Sequence, residues 1–129
     1  MKKVLLGMAF LLVSAVSCTQ KGKMLQAEAV GDTDSIIRIN CMIDVTPKNR
    51  EAVIAFSKEL VDSSKKDMGN ITYDLMESAT DSSKMMIFET WKNQPSLDKH
   101  SASVHFRRLV PKIQKLAKMD VQIFKMKKS

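Results

Sequence analysis

The chain has 129 residues, enough for one domain with a modest hydrophobic core. Its formal net charge is +7, yet the basic residues are interspersed with acidic ones and only 5% of the residues are aromatic. Interleaved basic and aromatic side chains are typical of nucleic-acid surfaces, so this composition argues against a nucleic-acid partner. It fits solvated helix faces with some attraction to anionic lipid.

The first residues follow the pattern of a secretory signal. Lys2-Lys3 precede the apolar run Val4–Val13, which is too short for a permanent membrane-spanning helix, and small residues then lead to Cys18. This resembles the lipobox of bacterial lipoproteins, in which the cysteine is acylated, although Ala15 stands where leucine is commonest. We predict a signal peptide over residues 1–17, lipidation of Cys18 and a lipid anchor to a bacterial membrane of the cell envelope, periplasmic or outer-membrane associated. Ordinary cleavage with a free Cys18 is the alternative.

Residues 18–34 are small and polar and show no apolar period, which predicts a flexible tether. The domain is predicted to follow over residues 35–127. If Cys18 carries lipid, Cys41 has no second cysteine to pair with, and a disulfide framework is excluded.

The first half of the domain predicts a strand followed by a helix. Ile36–Val45 alternates with period two, which is typical of a half-buried strand. Thr46 and Pro47 suit the cap and the first position of a helix that stops by Gly69. The predicted buried stripe of this helix is Ala52, Val53, Phe56 and Leu60.

The second half predicts a hairpin, a second helical region and a last strand. Strands are predicted over Ile71–Glu77 and Lys84–Trp91, and Val121–Phe124 anchors the final strand. Between the third and the last strand, the apolar residues at helical spacing are Phe106, Leu109, Val110, Ile113 and Leu116. Pro111 lies inside this pattern, so we predict a kink or two abutting segments there.

The order βαββαβ predicts a ferredoxin-like α+β fold with both helical regions on one face of the sheet. The other face would be open. On the first strand it carries Arg38, Asn40, Met42 and Asp44, a mixture that is neither a plain core nor a plain solvated surface. A partner sheet packed on this face would satisfy both characters.

The segment from Phe88 to Phe106 holds the only tryptophan and both histidines of the chain. It reads Phe-Glu-Thr-Trp91, then Leu-Asp-Lys-His100, then Ser-Val-His105-Phe106. A strand ending in Glu-x-Trp, followed by Leu-x-x-His and a second His before a helical Phe, resembles the antibiotic biosynthesis monooxygenase family. That family includes small quinol monooxygenases and, more distantly, heme-degrading oxygenases. The resemblance implies a homodimer in which two domains pack sheet to sheet as a dimeric α+β barrel.

The same resemblance implies a monooxygenase that needs no cofactor and oxidises a quinol or a polycyclic phenol with O₂ as co-substrate. The four glycines are scattered, so no nucleotide-binding glycine motif is present. The competing class is a non-catalytic dimeric module of the cell envelope that binds a hydrophobic small ligand, since a fold alone does not fix an activity.

His100 and Tyr73 are the candidate catalytic residues. Imidazole has the side-chain pKa closest to neutrality, so His100 is suited to take a proton from a quinol hydroxyl. The alternative is a histidine near a helix start that hydrogen-bonds the backbone. Tyr73, the only tyrosine, would orient a quinone oxygen; its alternative is a core residue with a hydrated tip.

Trp91 and Glu89 share one face of their strand. Trp91 is either a core aromatic residue or a wall that stacks on a planar substrate. Glu89 needs a partner if it is buried, and Arg38 or another basic group across the dimer is the predicted one. His105 is assigned to packing, an interface or the substrate site. Its five-residue spacing from His100 does not fit a helical metal pair, and no carboxylate cluster completes a site in the sequence, so no metal is predicted.

Asn40 and Cys41 are further candidate substrate-binding positions. The heme-degrading relatives carry an Asn on the first strand that would fall on one or the other, depending on a one-residue register. If it falls on Cys41, this chain lacks that Asn. The Leu-x-x-His segment also departs from the placement of Trp and His in those relatives, so heme degradation is disfavoured.

Overall fold

A computed structural model describes residues 32–129, in which the first element is β1 (Ser35–Val45), one of the two inner strands of the sheet. The predicted signal peptide, the lipidation site at Cys18 and most of the tether lie outside the described residues and stay predictions. Along β1, the six residues on one face are buried and those between them are partly or largely exposed. The buried ones are Ser35, Ile37, Ile39, Cys41, Ile43 and Val45. The period-two interpretation of this segment is confirmed.

Within residues 32–129, four strands and three α-helices follow the predicted order, with the second helical region divided in two. The remaining elements are a 3₁₀ turn (Pro47–Asn49), α1 (Arg50–Ser64), β2 (Asn70–Glu77), β3 (Lys84–Trp91), α2 (Gln94–Ser101), α3 (Val104–Leu116) and β4 (Ala117–Lys127). The sheet order is β2-β3-β1-β4 and every neighbouring pair is antiparallel. This is the ferredoxin-like α+β arrangement predicted from the sequence.

The start of α1 differs from the prediction. The Thr46 side chain caps no backbone N–H, and the 3₁₀ turn containing Pro47 precedes the α-helix proper. Ala52 is exposed rather than buried, because the buried stripe runs through Val53, Ser57, Leu60, Val61 and Ser64. Two small serines therefore lie where the helix approaches the sheet closely, a feature that apolar spacing does not reveal.

The break in the second helical region is not at Pro111. It falls at Ala102-Ser103, where Ser103 accepts a hydrogen bond from the Phe106 N–H and begins α3 as a side-chain cap. Pro111 lies inside α3 on its exposed side. There the carbonyl that loses its usual donor is open to water, so the helix continues past the proline.

The open face of the sheet carries apolar side chains around one arginine. Met42, Met76, Phe124 and Met126 are each 40–49% exposed. The Arg38 guanidinium lies 4.4 Å from the centroid of the Phe88 ring. Of the helices in residues 32–129, none has the length and apolar content required to cross a membrane.

Candidate active site

His100 lies in the last turn of α2, buried against β3 and β2 by aromatic rings. Its side chain is 1% exposed. Its ring centroid is 4.5 Å from that of Trp91, 5.0 Å from that of Phe106 and 5.4 Å from that of Tyr73. The Asn93 cap, which accepts the Ser96 N–H, fixes the start of α2 and therefore the position of the histidine two turns later.

Asp67 orients this histidine from the turn that follows α1. Its Oδ2 lies 2.8 Å from His100 Nδ1 and 2.8 Å from His105 Nε2. The turn continues to Gly69, whose φ is 85° and whose position is so close to α2 that a Cβ there would collide with Ser96. Glycine at this point therefore lets the turn bring Asp67 against α2 and α3.

The contact with Asp67 fixes which nitrogen of His100 is available. A carboxylate only accepts hydrogen bonds, so Nδ1 donates and the neutral ring keeps its lone pair on Nε2. Nε2 is buried and has no hydrogen-bond partner in the described residues. Burial lowers the pKa of His100, opposed by the hydrogen bond to Asp67, so the neutral ring persists at neutral pH.

His100 lines a cavity of about 240 Å³ between the sheet and the helices. Its walls are mainly apolar, with polar or ionisable side chains at a few points. These are Cys41, Tyr73, Glu89, His100, Ser101 and Gln114. Its β4 wall includes Val121 and Ile123, which are 52% and 57% exposed because the helices do not cover that strand. This wall is the open side of the cavity.

Glu89 and Trp91 are joined by a buried hydrogen bond. Trp91 Nε1 donates to Glu89 Oε2 at 2.6 Å, and both side chains are at least 94% buried. Within one chain Arg38 is not the partner of Glu89, because it lies on the opposite face of the sheet, beside Phe88 and Thr90. The basic partner across the dimer stays a prediction. Burial raises the pKa of Glu89 to about 7, although the hydrogen bond from Trp91 opposes this.

Burial also shifts the pKa values of Tyr73 and Cys41, two further ionisable groups of the cavity. It raises the pKa of Tyr73 well above its ordinary value, with the charge of Glu89 adding to the effect. It raises the pKa of Cys41 to about 11. Both groups therefore stay protonated at neutral pH, and Tyr73 is available as a hydrogen-bond donor rather than as a base.

The predicted site residues fall into two groups. His100, Tyr73 and Cys41 line the cavity. Asn40 lies on the open sheet face, opposite Phe88, so of the two strand positions only Cys41 reaches the cavity. Trp91 packs behind the His100 ring rather than forming a cavity wall, and His105 contacts Asp67 instead of the cavity.

The sequence did not indicate Asp67, whose carboxylate lies beside the two histidines. Asp67, His100 and His105 offer ligand atoms within 4.8 Å of one another, so the expectation that no carboxylate joins the histidines was wrong. Two ligands of a tetrahedral zinc ion, each about 2.0–2.1 Å from it, stand roughly 3.3 Å apart. The 2.8 Å contacts of Asp67 are shorter and have the length of hydrogen bonds.

Comparison with known proteins finds a matching family model and related proteins in two bacteria. The sequence model of the family described as Antibiotic biosynthesis monooxygenase matches residues 36–112. The Bacillus subtilis protein named "Putative monooxygenase YcnE" is 31% identical over 67% of this chain and 93% of its own length. An uncharacterized protein of Synechocystis sp. is also 31% identical, over 75% of this chain, which spans just under two thirds (66%) of that relative.

A solved structure shows the same fold at higher identity. A conserved protein of unknown function from Bacteroides thetaiotaomicron superposes with a TM-score of 0.71 and is 41% identical. The match covers 72% of this chain and 99% of that structure.

Proposed function

Because the chain belongs to the antibiotic biosynthesis monooxygenase family, we propose that it is a monooxygenase that oxidises a small quinol, or a related phenol, with O₂ and without an organic cofactor. Family membership and the Bacillus relative support a monooxygenase-like function. The observation that carries the proposal for this chain is that His100, which lines the cavity, has a buried Nε2 without a hydrogen-bond partner among residues 32–129.

In the proposed first step, His100 Nε2 takes a proton from a substrate hydroxyl. Asp67 accepts the hydrogen bond from Nδ1, which holds the ring in place and stabilises the imidazolium that forms. Trp91 and Phe106 pack on the ring and limit its rotation. The electron-rich anion then reduces O₂, and the two radicals recombine with a new C–O bond.

Tyr73 supports the same step as a neutral donor. Its buried hydroxyl stays protonated, so it can donate a hydrogen bond to a substrate oxygen as negative charge develops there. The centroid of its ring lies 5.4 Å from that of the His100 ring, and both residues line the cavity. Mainly apolar walls exclude water and so favour oxygen transfer over side reactions.

The cavity also limits the substrate. At about 240 Å³ it is smaller than the roughly 300–1,000 Å³ of typical drug-sized pockets. In the described part of the chain, no lysine or arginine lines it, so a neutral diol fits better than a carboxylated or phosphorylated ligand. These features favour a quinol of one or two rings over heme.

The working assembly is proposed to be a homodimer that covers the open sheet face. Proteins of this family are commonly dimeric and bind small molecules. On this face, Arg38 Nε and Asn40 Oδ1 are buried without a hydrogen-bond partner in the described residues, beside the half-exposed Met42. A second sheet would bury the apolar atoms and offer partners to the two polar ones.

Aerobic turnover of a quinol panel with isotopically labelled O₂ tests the function. The product should gain one labelled oxygen atom and water the other. His100→Gln keeps polarity and approximate volume but cannot take a proton near neutral pH, so kcat should fall by about 10²–10⁴-fold. The matched control is Lys99→Gln, on the exposed side of the same helix, which should keep wild-type turnover.

Two results would contradict the proposal. If folded His100→Gln oxidises quinols at the wild-type rate, the histidine is structural and the base lies elsewhere. If the wild-type protein binds quinols but oxidises none of them, the non-catalytic binding module replaces the monooxygenase.

A further inference from the structure

Glu89 is a buried carboxyl group on a wall of the same cavity. It lies on β3 between β1 and β2, with Ile39 and Tyr73 as its cross-strand neighbours. It is 6% exposed, and its hydrogen bond in the described chain comes from Trp91. A buried carboxylate without a cation is costly, so the group is held in its neutral, protonated form more easily than an ordinary glutamate.

The need for a hydrogen-bond acceptor for the Trp91 indole N–H does not explain why an ionisable glutamate is buried at position 89. A neutral amide oxygen would accept that hydrogen bond without the cost of burying an ionisable group. The first proton transfer does not require Glu89 either, because His100 Nε2 supplies the base. While His100 acts as a base, the cavity offers no acid other than Glu89 in the described residues, since burial holds the protons of Cys41 and Tyr73 too firmly for transfer near neutral pH.

We propose that Glu89 is the general acid that releases water in the second half of the reaction, an inference that rests on the proposed function. After O₂ adds to a ring carbon next to the deprotonated hydroxyl, the imidazolium of His100 protonates the outer peroxide oxygen. His100 then removes the hydrogen from that ring carbon as a proton, and the O–O bond breaks. The carbon becomes a carbonyl, and the departing hydroxide takes the Glu89 proton and leaves as water.

The proposed reaction steps conserve atoms and electrons. One quinol and one O₂ give one hydroxyquinone and one water, and the quinol supplies all the electrons that reduce O₂. His100 ends protonated and Glu89 ionised, so a proton passed from the imidazolium to the carboxylate restores both groups. Trp91 links the two residues, since its ring packs on His100 while its N–H donates to Glu89.

The pH dependence gives a signature for this role. The titratable groups on the same cavity are Cys41 from β1, Tyr73 from β2 and His100 from α2. Of these, Cys41 and Tyr73 have raised pKa values and His100 a lowered one. Loss of activity as the pH rises through about 7 therefore points to the Glu89 carboxyl, whose pKa is about 7.

The test compares Glu89→Gln with the wild-type protein in full-chain form. The amide that this substitution introduces cannot supply an acidic proton but can accept the Trp91 hydrogen bond, so folding should persist. With a quinol that the wild type oxidises, Glu89→Gln should still consume O₂, but its water-forming turnover should fall roughly 10²-fold or more. The intermediate should instead decay to the unsubstituted quinone and hydrogen peroxide, and the descending limb of the pH profile should disappear. The control Glu59→Gln changes an exposed carboxyl on α1 and should behave as wild type.

The possible results distinguish a failure of the Glu89 assignment from a failure of the proposed monooxygenase function. If Glu89→Gln forms hydroxyquinone at the wild-type rate without peroxide, Glu89 is not the acid, and the monooxygenase proposal stands. If Glu89→Gln stops O₂ uptake altogether while remaining folded, Glu89 acts in the first half-reaction and the assignment is overturned. If the wild type consumes no O₂ with any quinol, both proposals fail together.

Discussion

The two faces of the sheet differ in what covers them and in the side chains they carry. The face under the helices combines a nearly complete apolar core with a few buried ionisable groups, namely Cys41, Tyr73 and Glu89, beside His100 of α2. The open face has exposed methionines and Phe124 around Arg38. Burial perturbs proton affinity on the covered face, whereas exposed apolar area dominates the open one. We therefore place the proposed chemistry on the covered face and the proposed assembly on the open face.

The largest expected effect is on the core of the covered face. Ile113 is fully buried, so Ile113→Ala should lower the free energy of unfolding by about 2–5 kcal/mol. Met42→Ala, on the open face, should cost about 1 kcal/mol in the monomer because Met42 is 40% exposed. Urea unfolding of both variants at low protein concentration measures the difference. Equal losses would show that the two faces are equally packed.

Asp67→Asn tests how far the geometry of the covered face depends on one carboxylate. The change weakens the contact that orients His100, so kcat should fall roughly 10–100-fold. The carboxylate raises the pKa of His100, so removing it lowers that pKa further. The proposed activity needs the neutral ring and should be lost as the pH falls, so its acidic limb should move to lower pH in this variant.

The control for this experiment is Asp98→Asn, an exposed carboxyl on α2. It should leave both kcat and the pH profile unchanged. An unshifted acidic limb in folded Asp67→Asn would mean that Asp67 does not govern the protonation of His100.

The open face is tested by its effect on assembly. Phe124 is 48% exposed and lies across from Arg38, so Phe124→Ser removes apolar area that a second sheet would bury. We expect the dimer dissociation constant to rise roughly tenfold or more in sedimentation equilibrium. Val104→Ser, which removes an 81% exposed apolar side chain from α3, should have no such effect. A wild-type protein that is a folded monomer at micromolar concentration would argue against the sheet-to-sheet dimer.

The smallest expected effect concerns the caps of the helical layer. Ser103 accepts a hydrogen bond from the Phe106 N–H, so Ser103→Ala should cost about 1 kcal/mol of unfolding free energy. Thr46 makes no such bond, so Thr46→Ala should change stability by only a few tenths of a kcal/mol. Thermal unfolding of the pair measures this difference, and a larger loss at Thr46 would mean that its hydroxyl has a different structural role.

The strands were predictable because their signal is local. Alternation along β1 and the polar segment between β2 and β3 each depend on neighbouring residues alone. The division between α2 and α3 was misplaced because Pro111 is a stronger sequence signal than Ser103, although the serine has the position of a helix cap. The outcome at Pro111 depends on its exposure, which only the tertiary structure determines.

The site was predictable only in part. The resemblance directed attention to His100 and Tyr73, and the structure places both on one cavity. The contact of Asp67 with His100 spans 33 residues of sequence, and no local pattern marks it. The raised pKa of Glu89 likewise follows from the packing around it. The sequence places Glu89 on a strand but does not show how deeply its side chain is buried.

Cys41 has a consequence for the lifetime of such a protein. A thiol reacts with peroxide mainly as the thiolate. With a pKa of about 11, roughly one Cys41 thiol in ten thousand is ionised at neutral pH. If the proposed oxygen-consuming reaction takes place in this cavity, the sulfur should stay reduced beside it, and the protein should tolerate many turnovers before oxidative inactivation.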